Sequence, residues 1–184
     1  GGIAAWKAAG GELFIDVNVP SKAFGELVEA ECHTPSLPAE EVKALIDAAH
    51  HRGLMMMLDV VYNHFGPEGN YLGRYAPSFF TDAHTPWGSA IDYRVKQVRA
   101  FAIENAISWL REYRFDGLRL DAVNSIVEPG GLSLLHDISA AAGKLARDTG
   151  RHIHLVLENG DNRASILDAT EDPPQGKYRA QWND

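Results

Sequence analysis

The sequence has little cysteine, no long apolar run and fewer basic than acidic residues. Its one cysteine, Cys32, cannot form a disulfide within the chain, so no oxidising compartment is indicated. No apolar stretch approaches the ~18–20 residues that span a bilayer, and the first ten residues lack the apolar core of a signal peptide. The formal net charge of −8 argues against a nucleic-acid partner. These absences favour a cytoplasmic enzyme that acts on a neutral substrate.

The remaining composition is that of a globular domain with one sizeable core, since 45% of the 184 residues are hydrophobic and 23% are charged. Short apolar or alternating segments are interleaved with segments in which apolar residues recur at helical spacing. The pattern predicts strands over 12–19, 54–61, 116–122 and 153–157, another near 178–182, and helices over 39–51, 94–113 and 132–147. The strand over 54–61 is almost uninterrupted apolar sequence, which predicts burial on both faces.

This alternation predicts an α/β fold with parallel strands and helices packed outside them. Such a fold is either a doubly wound sheet or a (β/α)8 TIM barrel. A complete barrel needs about 250 residues, so the chain holds roughly half of one if it is a barrel. Residues 65–93 are rich in Gly, Pro and aromatic residues, and they are predicted to form a long loop between a strand and the following helix.

Three predicted strands carry an acid towards their ends: Asp59, Asp121 and Glu158. A single such acid is most often a helix cap or a loop-facing group. Three acids at equivalent positions of successive apolar strands would destabilise the fold unless they are paired with other groups or have a function. Asp121 and Glu158 are 37 residues apart, close to one barrel unit of roughly 31, and barrel strands end at one mouth where active sites lie. Arg119 shares a strand face with Asp121, where its guanidinium would keep that carboxylate ionised.

The same segments resemble the first three signature regions of the α-amylase superfamily of glycoside hydrolases, in the same order. They are DVVYNH at 59–64, GLRLDAV at 117–123 and LEN at 157–159. Within that superfamily, the 65–93 loop, the stretch HLVLENGDNRAS and the ending YRAQWND are most similar to the malto-oligosyltrehalose trehalohydrolases. The resemblance covers about 39–184 and implies a partial catalytic (β/α)8 barrel over 1–184, in which 1–38 does not match the family well.

The resemblance also implies roles for individual residues. Asp121 matches the nucleophile and Glu158 the general acid/base of a retaining glycosidase, while Arg119 matches the arginine that orients the nucleophile. In the loop, Trp87 offers an aromatic face on which a sugar can stack. The substrate-binding candidates are Asp59, Tyr62, His64, Trp87 and Arg119.

No cofactor is implied, and a metal site is the less favoured interpretation of one cluster. Asp59, Asn63 and His64 lie close together, and Asn63 occupies a position that binds calcium in some amylases, but no further ligands can be identified. Contact with sugar is therefore the preferred role for His64. Two positions near the catalytic residues depart from the family pattern, namely Asn124 where histidine is expected and Gly160 where an acid is expected.

The implied reaction is hydrolysis of the α-1,4 bond beside a terminal trehalose unit, which releases trehalose from malto-oligosyltrehalose or a related α-glucan. A 1,4-α-glucan branching transferase uses the same catalytic groups and is the nearest alternative. A remnant that binds α-glucans without turnover is the other. The fourth signature region, with its His–Asp pair, does not occur within the 184 residues, so we expect little catalysis by this chain alone.

Overall fold

The computed structural model describes residues 37–66, 70–128, 133–167 and 178–183. The strand predicted over 12–19 and Cys32 lie outside these residues. The helices are α1 Ala39–His50, α2 Leu72–Tyr75, α3 Lys96–Arg111 and α4 Ser133–Thr149. The strands are β1 Met57–Val61, β2 Phe80–Thr85, β3 Gly88–Ile91, β4 Gly117–Asp121, β5 His154–Glu158 and β6 Ala180–Trp182. No helix in the described ranges is long and apolar enough to cross a bilayer.

Four strands form one parallel sheet in the order β1-β4-β5-β6, which is the pairing that the alternation of strand and helix predicts. The helix α3 precedes β4, and α4 connects β4 to β5. Because every strand runs in the same direction, all their carboxyl ends lie at one edge of the sheet. The architecture is that of part of an α/β barrel.

The hydrophobic core lies between one face of this sheet and the helices α3 and α4. Leu118 and Leu120 of β4 are 0% and 1% exposed, and they share this core with Leu110 of α3 and Ile138 of α4. Side chains alternate along a strand, so the intervening residues of β4, Arg119 among them, point to the opposite face. That opposite face carries the polar groups of the sheet.

The prediction that 54–61 is buried on both faces is wrong. The strand begins only at Met57, and of its five residues Val60 alone is buried, whereas Met57 and Val61 are 45% and 47% exposed. The reason is the alternation of side chains along the strand, because Leu58 and Val60 face the core, whereas Met57 and Val61 point to the opposite face.

Residues 65–93 join β1 to α3, as the prediction of a strand-to-helix connection states, but much of the segment has regular structure. It contains α2, a 3-10 turn at Pro77–Phe79 and the antiparallel hairpin β2–β3. The Thr85 hydroxyl donates to the carbonyl of Gly88 (3.1 Å), and Gly88 has a φ of 148°, which favours glycine. A bridge between His64 and Ala90 holds the hairpin against the chain that leaves β1.

Asp116 ties together the amino ends of the strands, at the edge opposite the acids. Its Oδ2 accepts hydrogen bonds from the Met56 N–H and from His50 Nε2, both at 2.8 Å, and Arg151 lies 3.9 Å from its Oδ1. Burial acts to raise the pKa of Asp116, but these hydrogen bonds outweigh it and the pKa is lowered.

Replacing Asp116 with Ala should lower the free energy of unfolding by about 1–3 kcal/mol at neutral pH, because two donors lose their acceptor. A carboxyl whose pKa is lowered on folding stabilises the fold fully above its unfolded pKa of about 3.9 and loses that effect as pH falls through the folded value. The gap between the two proteins should therefore shrink in acid, as urea unfolding at several pH values would show. Asp47→Ala, at a 75% exposed side chain of α1, is the control and should show neither effect.

Candidate active site

One guanidinium gathers three carboxylates on the polar face of the sheet. Arg119 Nη1 lies 2.8 Å from Asp59 Oδ1 and 2.6 Å from Asp121 Oδ1, and its Nη2 lies 2.8 Å from Glu158 Oε2. The side chains of Arg119 and Glu158 are each 18% exposed, so their ion pair is partly shielded from water, whereas the side chain of Asp59 is 62% exposed. We call these four residues the carboxylate cluster.

Strand ends explain how the cluster forms. Asp121 and Glu158 are the last residues of the adjacent parallel strands β4 and β5, so the structure brings them to the same edge, as their spacing predicts. Asp59 lies further from the carboxyl ends of the strands, because in the β1–β4 register it is opposite Arg119, whereas Val61 is opposite Asp121. The prediction that all three acids lie in phase thus holds for two of them, and Asp59 is two residues deeper.

A left-handed residue follows the proposed nucleophile and contacts the proposed acid. Ala122 has φ 42° and ψ 49°, a conformation that costs a residue with a Cβ about 1 kcal/mol. Its N–H donates to Glu158 Oε2 at 2.9 Å. The sharp turn therefore directs a backbone donor at the carboxylate of the neighbouring strand, which fixes where Glu158 lies.

The surroundings of Glu158 shift its pKa in opposing directions. The N–H of Ala122 and the charge of Arg119 act to lower the pKa of Glu158, but burial and the adjacent Asp121 carboxylate outweigh them, and the pKa is raised. The bonds to Asp59 and Asp121 raise the pKa of Arg119, which stays charged. Glycoside cleavage needs one carboxyl with a raised pKa beside a second carboxylate, and Glu158 and Asp121 have that arrangement.

His64 and Trp87 form a stacked pair beside the cluster. Their ring centroids are 5.2 Å apart with 21° between the planes. Trp87 is in the turn between β2 and β3 and is 43% exposed. His64 Nδ1 is hydrogen-bonded to Oδ1 of Asn63, whose Nδ2 donates to the backbone carbonyl of Asp121 at 2.8 Å. The hairpin therefore brings a loop aromatic ring to the strand ends.

Tyr62 is not part of this group. It is 8% exposed, and its hydroxyl donates to Asn105 Oδ1 of α3 at 2.9 Å. Its side chain therefore lies between the sheet and α3. The assignment of Tyr62 to substrate binding rests on its place in the DVVYNH segment, and the structure gives it a packing role instead.

Sequence reasoning missed Trp182 as a member of the site. Trp182 ends β6 opposite Glu158, and its ring lies 5.6 Å from the guanidinium carbon of Arg119. Its carbonyl accepts the Asn159 N–H at 2.8 Å, which anchors the chain just after Glu158. An available signal was an aromatic residue at the end of a strand predicted beside the one that carries Glu158.

The two departures from the family pattern contact each other. The Gly160 N–H donates to Asn124 Oδ1 at 3.2 Å, which links the segment after β4 to the segment after β5. A Cβ added at Gly160 would lie 3.5 Å from the Asn124 amide nitrogen, an ordinary contact. Because Asn124 and Gly160 are in contact, a substitution at one of these positions would change the surroundings of the other.

No group of three or more histidine, cysteine, aspartate or glutamate side chains suited to a metal ion occurs among the residues that the structure describes. The amide of Asn63 is already bonded at both ends, to His64 and to Asp121. The three carboxylates of the carboxylate cluster are instead bonded to Arg119.

Removing the charge of Arg119 should destabilise the fold in a pH-dependent way. Arg119→Met leaves three carboxylates without a counter-charge, so the free energy of unfolding should fall by about 1–3 kcal/mol at neutral pH. The loss should diminish in acid as the carboxylates become protonated, and urea titrations at both pH values measure this. Arg147→Met, at an exposed position of α4, is the matched control. A loss for Arg119→Met that did not change with pH would contradict the electrostatic explanation.

No family model matches the chain. It is 46% identical over 129 residues to a malto-oligosyltrehalose trehalohydrolase of Deinococcus radiodurans, an alignment that covers 70% of this chain and 21% of the relative. It is 38% identical over 86 residues to a 1,4-α-glucan branching enzyme of Desulfitobacterium hafniense, covering 45% of this chain and 14% of the relative.

Among solved structures, the chain is similar to a Salmonella typhimurium protein assigned as an α-amylase. The identity is 43% and the TM-score 0.71, over 79% of this chain and 25% of the other. The chain thus spans about a fifth to a quarter of the length of these two proteins.

Proposed function

We propose that residues of this chain catalyse the retaining hydrolysis that releases trehalose from malto-oligosyltrehalose, since the chain belongs to the α-amylase family as part of a catalytic domain. The observation that carries the proposal is the carboxylate cluster, in which Asp121 and Glu158 share one guanidinium at the ends of adjacent strands. The similarity to a trehalohydrolase supports the choice of substrate.

The proposed reaction has two steps. Asp121, which accepts a hydrogen bond from Arg119, attacks the anomeric carbon, and Glu158 gives its proton to the leaving glycosidic oxygen as that bond breaks. Glu158, now a carboxylate, takes a proton from water, whose oxygen attacks the anomeric carbon and frees Asp121. The raised pKa of Glu158 supports its role as the acid of the first step.

The contacts around the cluster suggest where an α-glucan binds. The stacked His64 and Trp87 and the ring of Trp182 flank the strand ends from two sides. Aromatic faces pack against the apolar faces of sugar rings, and imidazole exchanges hydrogen bonds with hydroxyls. Asp59, through its bonds to Arg119, would keep the guanidinium in place beneath the reacting sugar. Cytoplasmic location stays a prediction from the sequence.

A 1,4-α-glucan branching transferase is the second candidate, favoured by the identity to such an enzyme over part of the chain. It would form the same covalent intermediate on Asp121 and pass the sugar to another glucan hydroxyl in place of water. Product identity separates the two, because free trehalose arises only from hydrolysis beside the trehalose unit.

The test is a chimera of the Deinococcus radiodurans relative in which the matching 129 residues of this chain replace its own. We expect this chimera to release trehalose from malto-oligosyltrehalose and not to form branches in amylose. Branched product would favour the transferase. Sugar binding without either product, in a chimera that is folded by circular dichroism, would favour a binding remnant.

A further inference from the structure

We propose that Asn63 is a positioning residue that holds His64 in the tautomer protonated at Nδ1 while it fixes the backbone at Asp121. The consequence for sugar recognition rests on the proposed function. The tautomer itself follows from hydrogen-bonding chemistry and can be measured without substrate.

The orientation of the Asn63 amide is determined by its partner. A backbone carbonyl can only accept hydrogen bonds, so the atom 2.8 Å from the carbonyl oxygen of Asp121 has to be the NH2 group of Asn63. The other end of the amide, Oδ1, is therefore the atom that faces His64 Nδ1. Asn63 is 1% exposed, so water does not compete for either contact.

The orientation of this amide decides the protonation of the imidazole. Oδ1 of Asn63 can only accept, so His64 Nδ1 has to donate and carries the proton. In the neutral ring Nε2 is then unprotonated and acts as an acceptor. Stacking on Trp87 holds the plane of this ring. His64 would thus accept a hydrogen bond from a sugar hydroxyl, and the opposite tautomer would offer that hydroxyl a donor.

The same amide extends the β1–β4 ladder by one bond. The strand β1 ends at Val61, which pairs with Asp121, so backbone pairing between these strands stops at the nucleophile. The side chain of Asn63 supplies the next donor, to the Asp121 carbonyl. One side chain thus fixes both the backbone at the nucleophile and the histidine beside it, so their relative position is set by a single group.

The experiment is 15N NMR of the labelled chain at about pH 8, where neutral imidazole predominates. Long-range proton–nitrogen correlations distinguish the two tautomers, and His64→Gln identifies the His64 signals by their loss. We expect Nδ1 of His64 to be protonated in the unaltered chain. A signal protonated at Nε2 alone would overturn the proposal, whether or not the chain hydrolyses any glucan.

Two substitutions separate the two roles of Asn63. Asn63→Asp keeps an acceptor for His64 but no donor for Asp121, so Nδ1 should stay protonated. Asn63→Ala removes the acceptor, so His64 should shift towards the Nε2-protonated form that free imidazole side chains prefer. An unchanged tautomer in Asn63→Ala would show that Asn63 does not set it. If Asn63→Ala does not fold, the unaltered chain and Asn63→Asp still decide the question.

Asn159→Ala is the matched control, because Asn159 is equally buried at 1% exposure but bonds to Gln181. It should leave the His64 tautomer unchanged. A tautomer shift in Asn159→Ala as large as in Asn63→Ala would mean that general loosening of the strand ends, and not the Asn63 amide, sets the protonation of His64, and would overturn the proposal.

Discussion

Replacing Asp121 with Asn should reduce trehalose release by the chimera by about 10⁴-fold or more, the scale of loss seen when a catalytic nucleophile is removed. The amide cannot form the covalent intermediate at a useful rate. The fold should be unaffected, because an amide oxygen can still accept from Arg119 and the bond from Asn63 goes to the backbone carbonyl of residue 121. Initial rates and the thermal midpoint, measured on the same preparation, check both expectations.

The control for this substitution is Asp47→Asn, the same chemical change at an exposed acid of α1. It should leave both the rate and the midpoint unchanged. Residual activity above about one per cent in the Asp121→Asn protein, once deamidation is excluded by mass spectrometry, would contradict the nucleophile assignment.

Replacing Glu158 with Gln should have an effect that depends on the leaving group. On malto-oligosyltrehalose the rate should fall by roughly 10²–10⁴-fold, the usual contribution of a general acid. On an α-glucosyl fluoride, whose leaving group needs no proton, formation of the intermediate should fall far less. A ratio of the two rates that is the same before and after the substitution would show that Glu158 is not the acid.

The pH profile gives a second measure of the role of Glu158. An acid catalyst works only while protonated, so the rate should decline as pH rises through its pKa, and the raised pKa moves that decline to higher pH. With the fluoride and the Glu158→Gln protein, the alkaline decline should disappear. Persistence of the decline would assign it to a different group.

The sequence predicts the parallel sheet and the meeting of Asp121 with Glu158 because both depend on local pattern. Apolar runs define β4 and β5, and the chain between them has the length of one helix and its turns. The residue Arg119 is placed correctly for the same reason, since alternation along a strand fixes its face.

Other features were not predictable because they depend on contacts across the chain. The hairpin β2–β3 lies in a segment whose Gly, Pro and aromatic content also suits a loop, and it is stabilised in part by the bridge from Ala90 to His64. The position of Asp59 relative to Asp121 depends on the register of β1 against β4, and an apolar run does not distinguish between registers that differ by two residues. Tyr62 was assigned to substrate binding from its place in the DVVYNH segment. Its hydrogen bond to Asn105 shows that its side chain points towards α3.

The order β4-β5 has a consequence for folding during synthesis. Asp121 and Glu158 meet through a single strand–helix–strand unit, and Arg119 lies within it. All three side chains are therefore available as soon as residue 158 leaves the ribosome, and none of them waits for a distant segment. We expect the ion pairs of Arg119 with these two acids to form while later strands are still being translated, so that the nascent chain already pairs these charges before the rest of the sheet is made.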